Sequence, residues 1–215
     1  VVDIIRTHAE ELIIIMPYSD FTLKKVRQDL AIAIHEGGRF FPDIPPVEPD
    51  ELLRQELEEG LPLVLSRGSE KARSEWIISP VLTAVRRLLN RQISLFSGED
   101  FTVDPHLGLN GICDFLMSKS PNQLEIQAPV VVIIEAKKEN LNGGLGQCIA
   151  EMVAAQKFNT ANNINISTIF GSVTSGTTWK FLQLEGNAVR VDISEYPLPP
   201  VELVLGFLTW MLSQN

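Results

Sequence analysis

Two carboxylates and a lysine stand in apolar company near the middle of the chain. Residues Ala128 to Lys138 read A-P-V-V-V-I-I-E-A-K-K. The apolar run from Val130 to Ala136, interrupted only by Glu135, predicts a strand buried on both faces. Side chains alternate along a strand, so Glu135 and Lys137 share one face while Ala136 turns to the other. Upstream, L-N-G-I-C-D-F-L-M-S predicts a second strand, and pairing of the two sets Asp114 beside Glu135. Stability alone gives little reason for this arrangement. Burying a Glu–Lys pair costs several kcal/mol per ion in desolvation, roughly balanced by the pairing, and a second carboxylate leaves excess negative charge. A divalent cation would neutralise that excess. Mg²⁺ prefers hard oxygen ligands and keeps several waters, so Asp114, Glu135 and the Ala136 carbonyl make a suitable site for it, with Mn²⁺ as a substitute. Lys137 would then lie next to the water and phosphate of a hydrolytic reaction.

Other chemistry has less support. His8, His35 and His106 are isolated, and Ser74, Ser79 and Ser175 lack a paired histidine, which argues against a hydrolytic triad. G-G-L-G at Gly143 to Gly146 has neither the spacing of a dinucleotide loop nor the Lys-Ser/Thr ending of a P-loop. The E-L-E-E run at Glu56 to Glu59 is expected to be a solvated helix face. Cys113 and Cys148 lack metal-ligand spacing and sit among apolar neighbours, as small buried thiols of a reducing cytoplasm do.

The elements that must position these residues follow from periodicity. Ser19 or Asp20 is expected to cap a helix with Leu23, Val26, Leu30, Ala33 and Ile34 on one stripe, ending at Gly37 and Gly38. After a Pro-rich turn, a second helix should start near Pro49 or Asp50 and stop at Gly60. Trp76, Ile77, Val81, Leu82, Val85, Leu88 and Leu89 recur at helical spacing, with Pro80 kinking this helix or marking its start. I-S-L-F-S-G-E-D and F-T-V-D-P read as strands or hairpin arms before the Asp114 strand. Beyond Lys138 the glycines are expected to end the connection, and a helix carrying Ile149, Met152, Val153 and Phe158 follows, on which Gln147 and Glu151 project together. Three alternating segments between Ile166 and Ser194 predict strands, and a helix from about Pro200 to Leu212 closes the chain. The result is an α/β fold, a mixed central sheet flanked by helices, with residues 63–215 as one domain and residues 1–62 as a helical N-terminal extension.

Composition sets the outer limits. The chain has 215 residues, 45% of them hydrophobic, enough to bury a sizeable core. The run Leu12 to Met16 is far too short to span a bilayer, which takes roughly 18 apolar residues, so a cytoplasmic protein without a membrane partner is expected. The first residue is Val, so a preceding segment is left open. Net charge is −9, but residues 1–60 hold 13 acids against 6 bases, so most of the acidity lies in the front of the chain. Lys71, Arg73, Arg86, Arg87 and Arg91 make a locally basic segment behind it. That footprint is small for a protein holding many phosphates unaided.

Glu75 in a helix, G-I-C-D at Gly111 to Asp114, E-A-K at Glu135 to Lys137 and Gln147 in the following helix occur in the order of the motifs of the PD-(D/E)XK nuclease superfamily, which this chain resembles. S-E-K-A-R-S-E and T-S-G-T-T-W-K-F-L-Q-L are similar to the nuclease domain of type I restriction subunits, over roughly residues 66 to 190. Cys113 stands where the superfamily's first motif has Pro. The resemblance implies a restriction-endonuclease-like fold and a Mg²⁺-dependent nuclease acting on DNA. It assigns Asp114 and Glu135 to the metal and Lys137 to orienting the attacking water. Glu75 would bind or orient a metal through water, and Gln147 would position the lysine or the substrate. The alternative is a catalytically silent member of the fold that binds a protein partner, and a nuclease could also borrow DNA affinity from a partner or a homodimer.

Overall fold

The computed structural model describes residues 17–38 and 40–214. The Leu12–Met16 run and His8 lie outside the described residues. Helices α1 (Leu23–Asp29), α2 (Glu51–Arg67), α3 (Glu70–Arg73), α4 (Ser79–Leu88), α5 (Leu141–Ala161) and α6 (Glu202–Ser213) flank strands β1 (Ala33–Glu36), β2 (Ser94–Asp100), β3 (Ile112–Ser118), β4 (Val130–Ala136), β5 (Thr168–Thr174), β6 (Thr178–Glu185), β7 (Ala188–Val191) and β8 (Tyr196–Pro197). The eight strands form one open mixed sheet in the order β1-β7-β6-β5-β4-β3-β2, with β8 paired to β6. β4 runs parallel to β5 and β1 parallel to β7, and the remaining pairs are antiparallel.

β4 is the centre of this sheet because all seven of its residues are buried. Val132, Ile134 and Ala136 join Phe115 and Met117 on the face covered by α2, α4 and α6. Val130 and Ile133 join Leu116 on the face covered by α5, which crosses from β4 to β5 with α1 packed against it. The result is three layers, helices on both sides of a sheet. Asn159 clamps the start of β4: its amide oxygen accepts from Val130 N at 2.8 Å and its Nδ2 donates to Val130 O at 2.7 Å. Asn159→Ala is expected to leave two buried backbone groups unpaired. A loss of about 2–4 kcal/mol in the urea unfolding free energy should follow.

Several elements differ from the expectation read from sequence. The first helix is capped by Thr22, whose side chain accepts from Lys25 N, and it ends at Asp29; Ala33 and Ile34 belong to β1. Apolar residues three and four apart fit a helix locally, but backbone pairing with β7 decides the matter. The expected division at residue 62 falls inside α2, which passes through Gly60 and Pro62 and runs to Arg67. Phe41, Ile44, Leu53 and Leu57 share one core with β4 and α6. Asp50 caps α2 and is gripped by Arg87 of α4 at 2.7 and 2.9 Å, which holds the Asp50 carboxyl below its usual range.

Pro80 lies in the first turn of α4, as expected of a proline that marks a helix start, but the chain before it is already helical. The run is helical from Glu70 to Leu88, with a π turn at Ser74–Ile78 just before the proline. Proline has no N–H for the carbonyl one turn back and its ring crowds that carbonyl, and a widened turn accommodates both. F-T-V-D-P forms no strand, only an isolated bridge between Asp104 and Leu109.

The glycines after Lys138 lie inside α5 rather than ending the connection before it; α5 starts at Leu141, capped by the Asn140 side chain. Their helix cost is offset by close packing. A Cβ at Gly144 would stand 2.8 Å from Val173 Cγ1 and 3.0 Å from Lys137 Cγ, and one at Gly146 would meet the Thr22 backbone at 2.7 Å.

Candidate active site

The site lies where β4 and β5 reach their C-terminal ends beside the first turns of α5. Phe115 of β3 pairs with Ile134 of β4, so one residue further along, Asp114 and Glu135 stand opposite each other. Asp114 Oδ2 accepts from Ala136 N at 2.8 Å, which ties the acid of one strand to the end of the next. Lys137 continues the parallel ladder through its N–H to Thr174 O at 2.8 Å. Its stem lies against Gly144, and its ammonium donates to Glu135 Oε1.

Gln147 is the link between these groups. Its Nε2 donates to Glu135 Oε2 at 2.9 Å and to Glu151 Oε1 at 3.1 Å, while its Oε1 accepts from Lys137 Nζ at 3.4 Å. Both N–H donors and the oxygen of one amide are used to order two acids and a lysine. The Glu135 side chain is 1% exposed at the floor of the site and that of Lys137 is 26% exposed above it, so a substrate meets the lysine first.

The electrostatics are dominated by acids held away from water. Burial, then Asp114, pushes the Glu135 carboxyl up to about 8, against the opposing pull of Lys137. Burial lowers the tendency of Lys137 to carry charge, but Glu135, with Glu70 and Asp114, outweighs it and holds the ammonium above its ordinary range. Lys137 is therefore a cation at neutral pH, suited to orienting water or phosphate and unsuited to accepting a proton. Glu151 is fully buried; burial, then Glu135, raises its carboxyl well above the usual range, and its Oε2 has no hydrogen-bond partner.

Asp114, Glu135, Lys137 and Gln147 are thus brought together, with Ala136 buried between Glu135 and Lys137. Glu75 is not part of this group. Its side chain is more than half exposed and pairs with Lys71 at 3.7 Å. The acid of this helical run whose charge reaches both Glu135 and Lys137 is Glu70. Five residues turn a helix by roughly 140° from one direction to another, so the two acids face different ways.

Sequence reasoning set Glu151 beside Gln147 without giving it a role, and passed over Lys180. Glu151 had a signal in its spacing from Gln147 on an otherwise apolar helix. Lys180 lies in the same cross-strand row as the site, since Glu135 pairs with Val173 and Val173 with Lys180. It is 7% exposed, and its ammonium donates to Asn142 Oδ1 at 3.1 Å and pairs with Glu195 at 3.5 Å. Its signal was phase: in W-K-F-L-Q-L it alternates in step with Leu182 and Leu184, both buried.

No family model and no curated protein matches this chain.

Among the described residues, no group of three or more His, Cys, Asp or Glu side chains is gathered tightly enough to hold a metal ion. Mg²⁺ does not require such a cage, because it is commonly held by one or two carboxylates, waters and a substrate phosphate. The residues present fit that smaller demand. Asp114 and Glu135 supply hard oxygens, the Ala136 backbone lies between them and Lys137, and the carboxylates exceed the single lysine that balances them. Both cysteines are free, buried thiols, raised by burial, which leaves them inert as ligands. Among the described residues no helix is long and apolar enough to cross a membrane.

Proposed function

We propose that this chain is a Mg²⁺-dependent nuclease acting on DNA, built on a restriction-endonuclease-like arrangement of its mixed sheet. The observation that carries the reading is the pair of acids at the end of β4: Asp114 and Glu135 stand together with, among the described residues, only Lys137 in contact to oppose them, so Glu135 holds its proton up to about 8 and is poised to exchange it for a cation. Stability gives no reason to keep such a group, whereas a divalent cation and a phosphate do. Asp114 and Glu135 would hold the ion, with the Ala136 carbonyl completing the protein's share. Bound there, Mg²⁺ would supply positive charge to a phosphodiester and its leaving oxygen. Lys137 orients the attacking water and faces the phosphoryl oxygens with a fixed ammonium. Gln147 holds Lys137 and Glu135 in register. Glu70 takes the place expected of Glu75, as the outer acid on the side of the π turn.

A second reading, a catalytically silent module docking a protein partner, is favoured by one observation: Leu52, Leu63 and Leu65 of α2 and the nearby Trp76 are 46–68% exposed. Calorimetric titration of Mg²⁺ and Mn²⁺ into the protein and into Asp114→Ala, followed by incubation of both with circular and linear DNA, separates the two. Ion binding and cleavage that are both lost in Asp114→Ala support the nuclease. An unmodified protein that neither binds the ions nor cuts DNA overturns it in favour of the docking module.

A further inference from the structure

We infer that the cleft between the end of α2 and the Lys138–Glu139 turn is the seat of a DNA phosphate next to the one being cut, held by Arg67, Arg73 and Lys138. The inference rests on the nuclease reading for its choice of DNA as the occupant. The cleft has a volume of about 400 Å³, and Arg67, Arg73, Lys138, Ser66 and Ser69 are among the residues that line it. Glu139 is the one acid in that lining. In a chain of net charge −9, three cations against one acid around a concavity is a local reversal of sign.

These cations are not spent on the protein itself. Among the described residues none of the three forms an ion pair with a carboxylate. Arg73 is held in place by neutral groups instead: Nη1 donates to Ser175 O at 2.9 Å and to Thr177 Oγ1 at 3.4 Å, both in the turn between β5 and β6. Its charge is fixed in position without being neutralised, and its Nε has no partner. Arg67 and Lys138 stand exposed on opposite walls, free to close on a ligand.

The location supplies the second half of the argument. Ser69 of the cleft is followed by Glu70, whose charge reaches Glu135 and Lys137, and Lys138 of the cleft follows Lys137 directly. Consecutive Cα atoms are about 3.8 Å apart, so the cleft adjoins the carboxylate group at two points along the chain. A phosphodiester held against Lys137 therefore has its neighbouring phosphate within reach of the three cations. Mononucleotides and small phosphate esters have no second phosphodiester to place there, so the cleft selects a polymer. The basic segment expected from the sequence is thereby divided: Arg73 serves the cleft, while Arg87 is consumed by Asp50.

Fluorescence anisotropy in EDTA, with a labelled 20-nucleotide DNA as duplex and as single strand, tests this without any cleavage. Arg67→Ala/Lys138→Ala is expected to weaken binding about 10-fold at 0.1 M salt. The slope of log affinity against log salt should become shallower by about 1.8 for the duplex and about 1.4 for the single strand, the loss of two phosphate contacts. Lys157→Ala/Arg190→Ala, an equal loss of charge at the far end of α5 and on β7, should leave both quantities near those of the unmodified protein. Equal weakening by the two double variants overturns the cleft, as does unchanged binding in the first or an unmodified protein that binds neither DNA. Tighter binding of an RNA of the same sequence overturns the choice of DNA. The nuclease reading fails separately: DNA bound through the cleft but not cut in Mg²⁺ sinks the nuclease alone, and cutting unaffected by Arg67→Ala/Lys138→Ala sinks the cleft alone.

Discussion

Lys137→Ala is expected to reduce Mg²⁺-dependent DNA cleavage by about 10²–10³-fold while leaving the protein folded and still able to bind Mg²⁺. Among the described residues the lysine is the one cation in direct contact with Glu135, and its surroundings keep it charged. A fixed ammonium next to a phosphate stabilises charge that develops only in the transition state, so its loss should appear in kcat more than in KM. Lys137→Arg is expected to restore little. The stem passes so close to Gly144 that an added Cβ there would stand 3.0 to 3.1 Å from it, and a planar guanidinium cannot take the same path to Glu135 and Gln147. Single-turnover cleavage of linear DNA, with circular dichroism melting of each variant alongside, makes the measurement. Cleavage by Lys137→Ala at the unmodified rate would remove the lysine from the chemistry.

The second large effect is on stability as a function of pH. Glu135 has an ordinary carboxylate pKa of 4.5 in the unfolded chain and about 8 in the folded one, raised by burial and by Asp114. Between those values the folded state holds a proton that the unfolded state has released. Stability therefore falls as pH rises from about 4.5 to about 8, at up to roughly 1.4 kcal/mol per pH unit, and levels off above the folded pKa. Glu135→Gln has no such proton to lose. It should lose stability less steeply over this window, the slope that remains coming from buried Glu151, and be less stable than or equal to the unmodified protein near pH 5 and more stable near pH 8. Added Mg²⁺ should flatten the slope of the unmodified protein and leave Glu135→Gln unmoved, and EDTA should restore the slope. Parallel melting curves for the two proteins at pH 5 and pH 8, without metal, would show that the carboxylate is not held in this unbalanced state.

The apolar composition of β4 made it legible without any structure, because seven successive residues with one carboxylate leave few alternatives to a strand covered on both sides. Alternation along that strand also put Glu135 and Lys137 on one face, and four-residue spacing put Gln147 beside Glu151 on a helix. These are local relations, set by backbone geometry. β1 was misread because its apolar residues fit a helix stripe as well as a strand, and only β7, some 150 residues away in the chain, provides the hydrogen bonds that make it a strand. The glycines of α5 were misread for a related reason. Glycine is a poor helix former by itself, and nothing in G-G-L-G tells that Lys137 and Thr22 need the space.

What the sequence by itself determined is the set of reactive groups and their neighbours: an acid and a lysine at the end of a buried strand, a second acid on a strand able to pair with it, and an amide on the next helix. What only the tertiary structure decided is which remote groups complete that set. That the charge of Glu70 reaches Glu135 and Lys137 while Glu75 pairs with Lys71 depends on how this helical run lies against the sheet. The gathering of Arg67, Arg73 and Lys138 depends on where α2 ends relative to β4 and on the turn that holds Arg73. The charge state of Glu135 depends on water being excluded by α5 on one side and on Asp114 being brought beside it by β3. Periodicity can put side chains on a face, but burial and long-range electrostatics arise only when faces meet, and those two terms set the chemistry of this site.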